Sequence, residues 1–258
     1  LAPNDRLEGA AVAGLMRADG IGVMVPMWRA DAGNTGLKDG VVQFFTASGG
    51  IVAAGVPYDP TTTDFTASVA ALGNAVRAAK NANPSKKVAV YLAAFEEGAA
   101  ILDRARLDAD LLLNWYGGDG LTQSQALLAN SAVASFAAAT KFTAPNVALS
   151  EQTRDRWEPL SAEIAARVGF APDAYSLSVY DAAWAAVLSA VEARTRSELL
   201  RAAFVRNVQR YWGLTGPLSL DPAGDRRLAD FDLWTLKETG TQIEWVRTAS
   251  YVSGRIVR

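Results

Sequence analysis

The sequence predicts an α/β protein, a doubly wound parallel sheet joined to a helical block. Two observations carry the reading. Four strand–helix alternations fill roughly the first 120 residues, and their strands are continuous apolar runs such as "IGVMVPMW", the mark of parallel strands buried on both faces. After Pro145 the pattern turns helical and then, near the end of the chain, to β.

Element by element, Asn4 or Asp5 caps a helix through "RLEGAAVAGLMRA" that ends near Asp19-Gly20. Ile21 to Trp28 is the first strand, "RADAGNTG" a polar loop, and Leu37 to Ser48 a helix stopped by Gly49-Gly50. "IVAAGVPY" reads as a strand, and Thr63 or Asp64 caps the helix "FTASVAALGNAVRAAKNA". Then follow "KKVAVYLAA" (strand), "EEGAAILDRARL" (helix) and "DLLLNWYG" (strand). "SEQTRDRWEPLSAEIAARVGF", "PDAYSLSVYDAAWAAVLSAVEA" and "SELLRAAFVRNVQRY" are helices, with Tyr180, Trp184, Val187, Leu188 and Val191 at helical spacing in the second. "DPAGD" and "KETGTQ" are turns between late strands. The helical block has no strand of its own, so its apolar faces call for a sheet from elsewhere.

Composition narrows the chemistry. The 258 residues carry a net charge of −2 and 20% charged residues, which argues against a nucleic-acid partner. Cysteine and histidine are both absent, so thiolate chemistry, a Ser-His-Asp triad and the commonest metal ligands are unavailable. No cofactor fingerprint is present: "GNTGLKDG" lacks both P-loop and GxGxxG spacing. No apolar run approaches the roughly 18 residues of a spanning helix, and "LAPNDRLEGAAVAGLM" is not a signal peptide. No metal, cofactor or catalytic residue is expected, and binding is favoured over catalysis.

In doubly wound sheets, ligands sit outside the carboxyl ends of the strands. Asp119 in "YGGDG", Phe95 in "LAAFEEG" and Trp28 each follow such an end. Asp119, held among Gly117, Gly118 and Gly120, is either turn chemistry or a ligand carboxylate. Trp28 is either a core aromatic or a wall of the ligand site. Glu96 and Glu97 are either ligand carboxylates or the first turn of a helix, where acids favour the macrodipole, with Glu96 nearer the strand end. Asp31 either fixes its loop or faces a ligand. Asp181 reads as a polar contact of its helix, and Lys86-Lys87 as solvated.

Four stretches in order resemble one family. "VMVPMWRADAGNTGL", "FFTASGGIVAAGVPYDPTTTDFTASVAAL", "SVYDAAWAAVLSAVEA" and "GLTGPLSLDPAGDRRLADFDLWTLKETG" are similar to the type I periplasmic solute-binding proteins of ABC transporters, in the branched-chain amino-acid (Leu/Ile/Val) branch. The resemblance implies two α/β lobes joined by three crossovers and closing on a ligand. It implies an importer permease as partner, and a periplasmic or extracellular location with or without a lipid anchor on the precursor. By resemblance, Asp119 with the neighbouring Gly118 sits where the family's acid meets a ligand ammonium, and Phe95 where an aromatic contacts the ligand. Glu96 and Asp31 join the candidate set. Where the family carries another aromatic after the first strand, this sequence has Gly33 or Ala32, so Trp28 fills the gap or the ligand is larger.

The family begins with a lobe that has no counterpart before "LAPNDRLEGAA". The expected division is therefore a second lobe of 1–145 with 232–258. Residues 146–231 are the helical part of a first lobe whose sheet comes from another segment. The alternatives to transport are a ligand-sensing receptor domain of the same fold and, last, a hydrolase using Glu96 and Asp119 as paired carboxylates.

Overall fold

The computed structural model describes residues 1–258 except Ser150 and Thr195. The chain divides into two compact units, Leu1–Asn4 with Val147–Phe231, and Asp5–Asn146 with Asp232–Arg258. It passes from one to the other at three places.

The second unit is an α/β sandwich. Its strands are β1 (Ile21–Arg29), β2 (Ile51–Val52), β3 (Val56–Tyr58), β4 (Lys87–Ala93), β5 (Asn114–Gly117), β6 (Thr143–Val147), β9 (Phe231–Thr239), β10 (Gln242–Val252) and β11 (Arg255–Val257). They form one sheet in the order β11-β10-β9-β6-β5-β4-β1-β2, with β3 also on β1. Pairing is parallel from β2 through β6 and antiparallel between β10 and β11. Going out from β1, the chain builds β2 and β3 on one side and β4, β5 and β6 on the other, so the strand order reverses beside β1.

Side chains alternate across the sheet because strand residues point to opposite faces. Val23, Val25 and Met27 of β1 and Val88, Val90 and Leu92 of β4 pack under α3 (Thr66–Ala82), α4 (Gly98–Ala105) and α6 (Ser131–Ala139). Met24, Ala89, Tyr91 and Tyr116 face α1 (Asp5–Ala18) and α2 (Ala32–Ala47). Residues buried on both faces explain why these strands read as unbroken apolar runs.

The α1–α2 pair is unusually close. A Cβ on Gly9 would lie 2.4 Å from the Gly40 carbonyl carbon, and one on Gly40 would lie 2.8 Å from the Asp5 carbonyl oxygen. The two backbones therefore touch at glycine.

Several sequence expectations are corrected. α2 begins at Ala32 rather than Leu37, because Asp31 caps it. "IVAAGVPY" is two short strands, β2 and β3, rather than one. α3 starts at Thr66, one residue after Phe65, with the Asp64 carboxylate accepting the Thr66 N–H at 2.9 Å. The leucines of "DLLLNWYG" are not strand: Ala109–Leu111 form a 3-10 turn and only Asn114–Gly117 pair. Arg77 and Lys80 hold Asp110 at 3.1 Å and Asp108 accepts the Asp110 N–H, so the chain turns there and Leu112 is left exposed. β6, α6 and the single turn α5 (Ala126–Ala129) carry no sequence expectation at all.

The first unit contains α7 (Arg154–Val168), α8 (Ala174–Ala193), α9 (Leu200–Val208) and the small hairpin β7 (Trp212–Gly213) and β8 (Gly216–Pro217). Asp181 is fully buried in α8 and accepts the Leu214 N–H at 2.8 Å, the Thr215 N–H at 3.0 Å and the Thr215 hydroxyl at 2.8 Å. Arg226, also buried, donates to the Thr215 hydroxyl at 3.0 Å. The carboxylate thus ties helix to hairpin, so the contact expected inside its own helix goes instead to another element. α8 also exposes Val179, Tyr180, Trp184, Val187, Leu188 and Val191.

α8 also corrects the expectation about spanning segments. Its 20 residues are long and apolar enough to cross a membrane by length and composition alone. Its buried, hydrogen-bonded Asp181 marks it as a packed helix.

Two outcomes test this packing. Gly9→Ala would gain about 1 kcal/mol of helix propensity, but forcing two backbones apart costs about 1–3 kcal/mol. A net loss is expected, and a raised urea midpoint would show that the α1–α2 contact yields. Asp181→Ala leaves buried N–H groups unpaired at about 1–3 kcal/mol each, so unit one should melt early, as read by hydrogen exchange at Leu214 and Thr215.

Candidate functional site

β1, β4 and β5 end side by side at one edge of the sheet, next to the reversal of strand order, where a crevice for a ligand is expected. Parallel pairing sets the heights: Trp28 lies opposite Ala93, and Leu92 opposite Gly117. The residues just beyond these strand ends are therefore neighbours.

After β5 the chain must turn at once. Gly118 N–H donates to the Leu92 carbonyl at 3.2 Å, and Asp119 opens a 3-10 turn over Asp119–Leu121. A Cβ on Gly118 would lie 3.2 Å from Leu37 Cδ1, 3.4 Å from the Tyr91 hydroxyl and 3.6 Å from Glu8 Oε1. Asp119 is half-buried, and its backbone N–H donates to Glu8 Oε1 at 3.1 Å.

Glu8 is the feature that sequence reasoning missed. It lies on the buried stripe of α1 with Val12, Leu15 and Met16, and is 4% exposed. Burial, then the charges of Asp119 and Asp5, push its carboxyl well above the usual range, with the Asp119 N–H pulling the other way. Tyr91 of β4 is fully buried nearby, and its hydroxyl has no hydrogen-bond partner among the described residues. The signal was available: a carboxylate at an apolar helical position, and the only phenol in "KKVAVYLAA".

A second group forms around Arg29 at the end of β1. Its Nε lies 2.8 Å from Asp31 Oδ2 and its Nη1 lies 3.4 Å from Glu97 Oε1. The Tyr58 hydroxyl donates to the same Glu97 oxygen at 2.9 Å, and burial followed by the Glu97 charge drives that phenol far above its ordinary range. Burial pushes Asp31 up, but the Asn34 N–H, the Asn34 amide and Arg29 outweigh it and hold Asp31 below the usual carboxylate range.

The six candidates therefore separate. Trp28, Phe95, Gly118 and Asp119 lie at the ends of the adjacent strands β1, β4 and β5. Phe95 is 47% exposed, with the Arg29 guanidinium 5.7 Å from its ring centroid. Trp28 is half-buried against the α1–α2 layer, with the Lys38 ammonium 4.8 Å from its ring. Glu96 accepts the Ser124 hydroxyl at 2.9 Å. Asp31 is bound to the start of α2 through the Asn34 N–H at 2.8 Å and to Arg29, which is the loop-fixing role. Among the described residues no group of three or more acids is arranged to hold a metal ion.

Residues 1–239 match the family described as the receptor family ligand binding region. The chain belongs to this family. An uncharacterized protein of Methanocaldococcus jannaschii is 25% identical over 93% of the chain and 59% of its own length. The leucine binding protein LivK of Thermotoga maritima superposes with a TM-score of 0.72 at 18% identity, over 96% of this chain and 66% of that one. A solute-binding protein of an R. palustris ABC transporter, solved with benzoate, gives 0.67 at 14% identity over 94% and 62%. LivJ of Streptococcus pneumoniae, solved with isoleucine, gives 0.65 at 15% identity over 95% and 66%. The ligand-binding-region chain thus has the α/β fold of type I periplasmic binding proteins and spans about three-fifths to two-thirds of these relatives' lengths.

The buried Glu8 makes stability depend on pH. A carboxyl whose folded pKa lies above its unfolded value of 4.5 stabilises fully below that value, and the contribution is lost as pH rises through the folded one. Glu8→Gln removes the loss, so the variant should gain on wild type as pH goes from about 4 to about 8. Parallel urea-midpoint curves would show that Glu8 titrates normally.

Proposed function

We propose that this chain is part of an extracytoplasmic solute-binding protein that delivers an amino acid or a related small polar ligand to an ABC importer. The observation that carries this is the place of Asp119: a carboxylate just past β5, at the edge where Trp28 nears the end of β1 and Phe95 follows β4, next to the reversal of strand order. An acid in partly desolvated surroundings makes a strong charge-assisted contact with an ammonium, while Phe95 and Trp28 pack the apolar part of the ligand. Gly118 lets the backbone come close, and Glu96 borders the site. The solved relatives are solute-binding and amino-acid-binding proteins by their descriptions, which supports a binding role rather than an enzyme.

On this proposal residues 146–231 belong to a lobe whose sheet another segment supplies. The exposed Val179, Tyr180, Trp184, Val187, Leu188 and Val191 of α8 support it, since an apolar face this wide is ordinarily covered. A periplasmic or extracellular place, with a permease as partner, follows from the transport reading. The family description as a receptor ligand-binding region favours a second reading, a sensing domain of the same fold without a transporter.

Calorimetry with an amino-acid panel tests the ligand role. Asp119→Asn should weaken binding of any α-amino ligand about ten-fold or more, the loss of one charge-assisted contact. Unchanged binding would remove Asp119 from the site.

A further inference from the structure

At the other end of the sheet, away from Asp119, a second concave surface opens. Lys87, Asn114 and Thr143 are the first residues of β4, β5 and β6, and parallel pairing brings such residues to one edge. A cleft of about 800 Å³ lies there, bounded by the last turns of α1 and α6 and by β9 and β10. Every residue lining it belongs to the α/β unit. Along one wall the hydroxyls of Thr143, Thr235 and Thr248 form a chain with spacings of 2.8 and 2.7 Å. Thr143 donates its proton to the Lys141 carbonyl at 2.9 Å, which ties that wall to the turn after α6.

The cleft is lined by Lys87, Lys141, Lys237 and Arg258 against two acids, Asp19 and Glu238, on a chain whose net charge is −2. Asp19 is already engaged by Arg258 and by the Tyr116 hydroxyl. The three lysines have no ion-pair partner among the described residues. A structural reason accounts for two of them, because cations are favoured at helix C-termini. Lys141 follows α6, and Lys87 Nζ donates to the Asp19 carbonyl just past α1 at 3.3 Å. That reason does not reach Lys237, which stands on β9. Nor does it explain the backbone of Lys141, whose φ of 54° is left-handed. The Phe142 N–H donates to the Ala137 carbonyl at 2.8 Å across this turn, and helix ends of this kind ordinarily place glycine there. A charged side chain is kept where none is the easier choice.

We propose that this cleft binds a small phosphorylated molecule, at a site separate from the ligand edge, through Lys87, Lys141 and Lys237. A cleft lined by an excess of one sign of charge focuses its field and raises the local concentration of counter-ions. Lysine is a compact point charge that meets phosphate oxygens from any direction, whereas a planar carboxylate is matched by the fork of an arginine. The arginine of this cleft is held by Asp19, so the available charges are ammonium groups from three different elements. The proposal does not depend on the ammonium role of Asp119.

Calorimetry of the whole chain with pyrophosphate at fixed ionic strength tests it, with citrate as a carboxylate of comparable charge. Pyrophosphate should bind with a Kd below about 1 mM, and about three-fold or more tightly than citrate. Lys141→Gly removes the charge at a position that suits glycine. Its urea midpoint should hold or rise while its affinity for pyrophosphate falls about three-fold or more. Lys237→Gln should weaken binding by a similar factor, and Arg201→Gln, on α9 and outside the cleft, should leave it unchanged. No binding by the wild type, citrate held as tightly as pyrophosphate, or unchanged affinity in either lysine variant overturns the proposal. An equal loss in Arg201→Gln marks a general attraction of charge and overturns it as well.

Discussion

The contact on which the site depends is the meeting of two helix backbones at Gly9 and Gly40. With no side chain between them, α1 lies against α2 and brings its first turn to the strand ends. Any wider spacing would lift Glu8 away from the Asp119 N–H and Asp5 away from Gly36, whose added Cβ would sit 2.5 Å from the Asp5 carboxylate. Helix packing, not the turn after β5 by itself, fixes where the acids stand.

Strand order does the rest. Because β2 and β3 leave β1 on one side and β4 on the other, the helices that follow diverge to opposite faces. The ends of β1 and β4 lie between them. Trp28, Arg29 and Phe95 occupy that gap. The ion pairs of Arg29 with Asp31 and Glu97 are partly exposed, and such pairs contribute little to stability. Their use is geometric: they orient one guanidinium over Phe95 and tie the loop after β1 to the loop after β4.

Much of this was legible in the sequence. Continuous apolar runs identify β1 and β4, since a strand buried on both faces needs no polar alternation. Asp119, Phe95 and Trp28 follow from being placed just past such runs. "LLLNWYG" misled because the period of an apolar run cannot show that Asp108, Arg77 and Lys80 fold its start into a turn. β6 was invisible because "TAPNV" carries a proline and an asparagine, and its pairing with β5 and β9 is a long-range fact. Asp31 reads as a loop residue until the Asn34 N–H is seen three positions on. Glu8 was hidden in plain composition: one acid in a helix means little until its stripe is known to be buried.

The two aromatics at the ligand edge have a consequence of their own. Each already carries a cation of the protein over one ring, Lys38 above Trp28 and Arg29 above Phe95. A ring attracts positive charge through its electron-rich face, and on each ring one such face is taken. On the proposed ligand role, the two rings would serve mainly as apolar walls, since the protein's own cations already occupy one face of each.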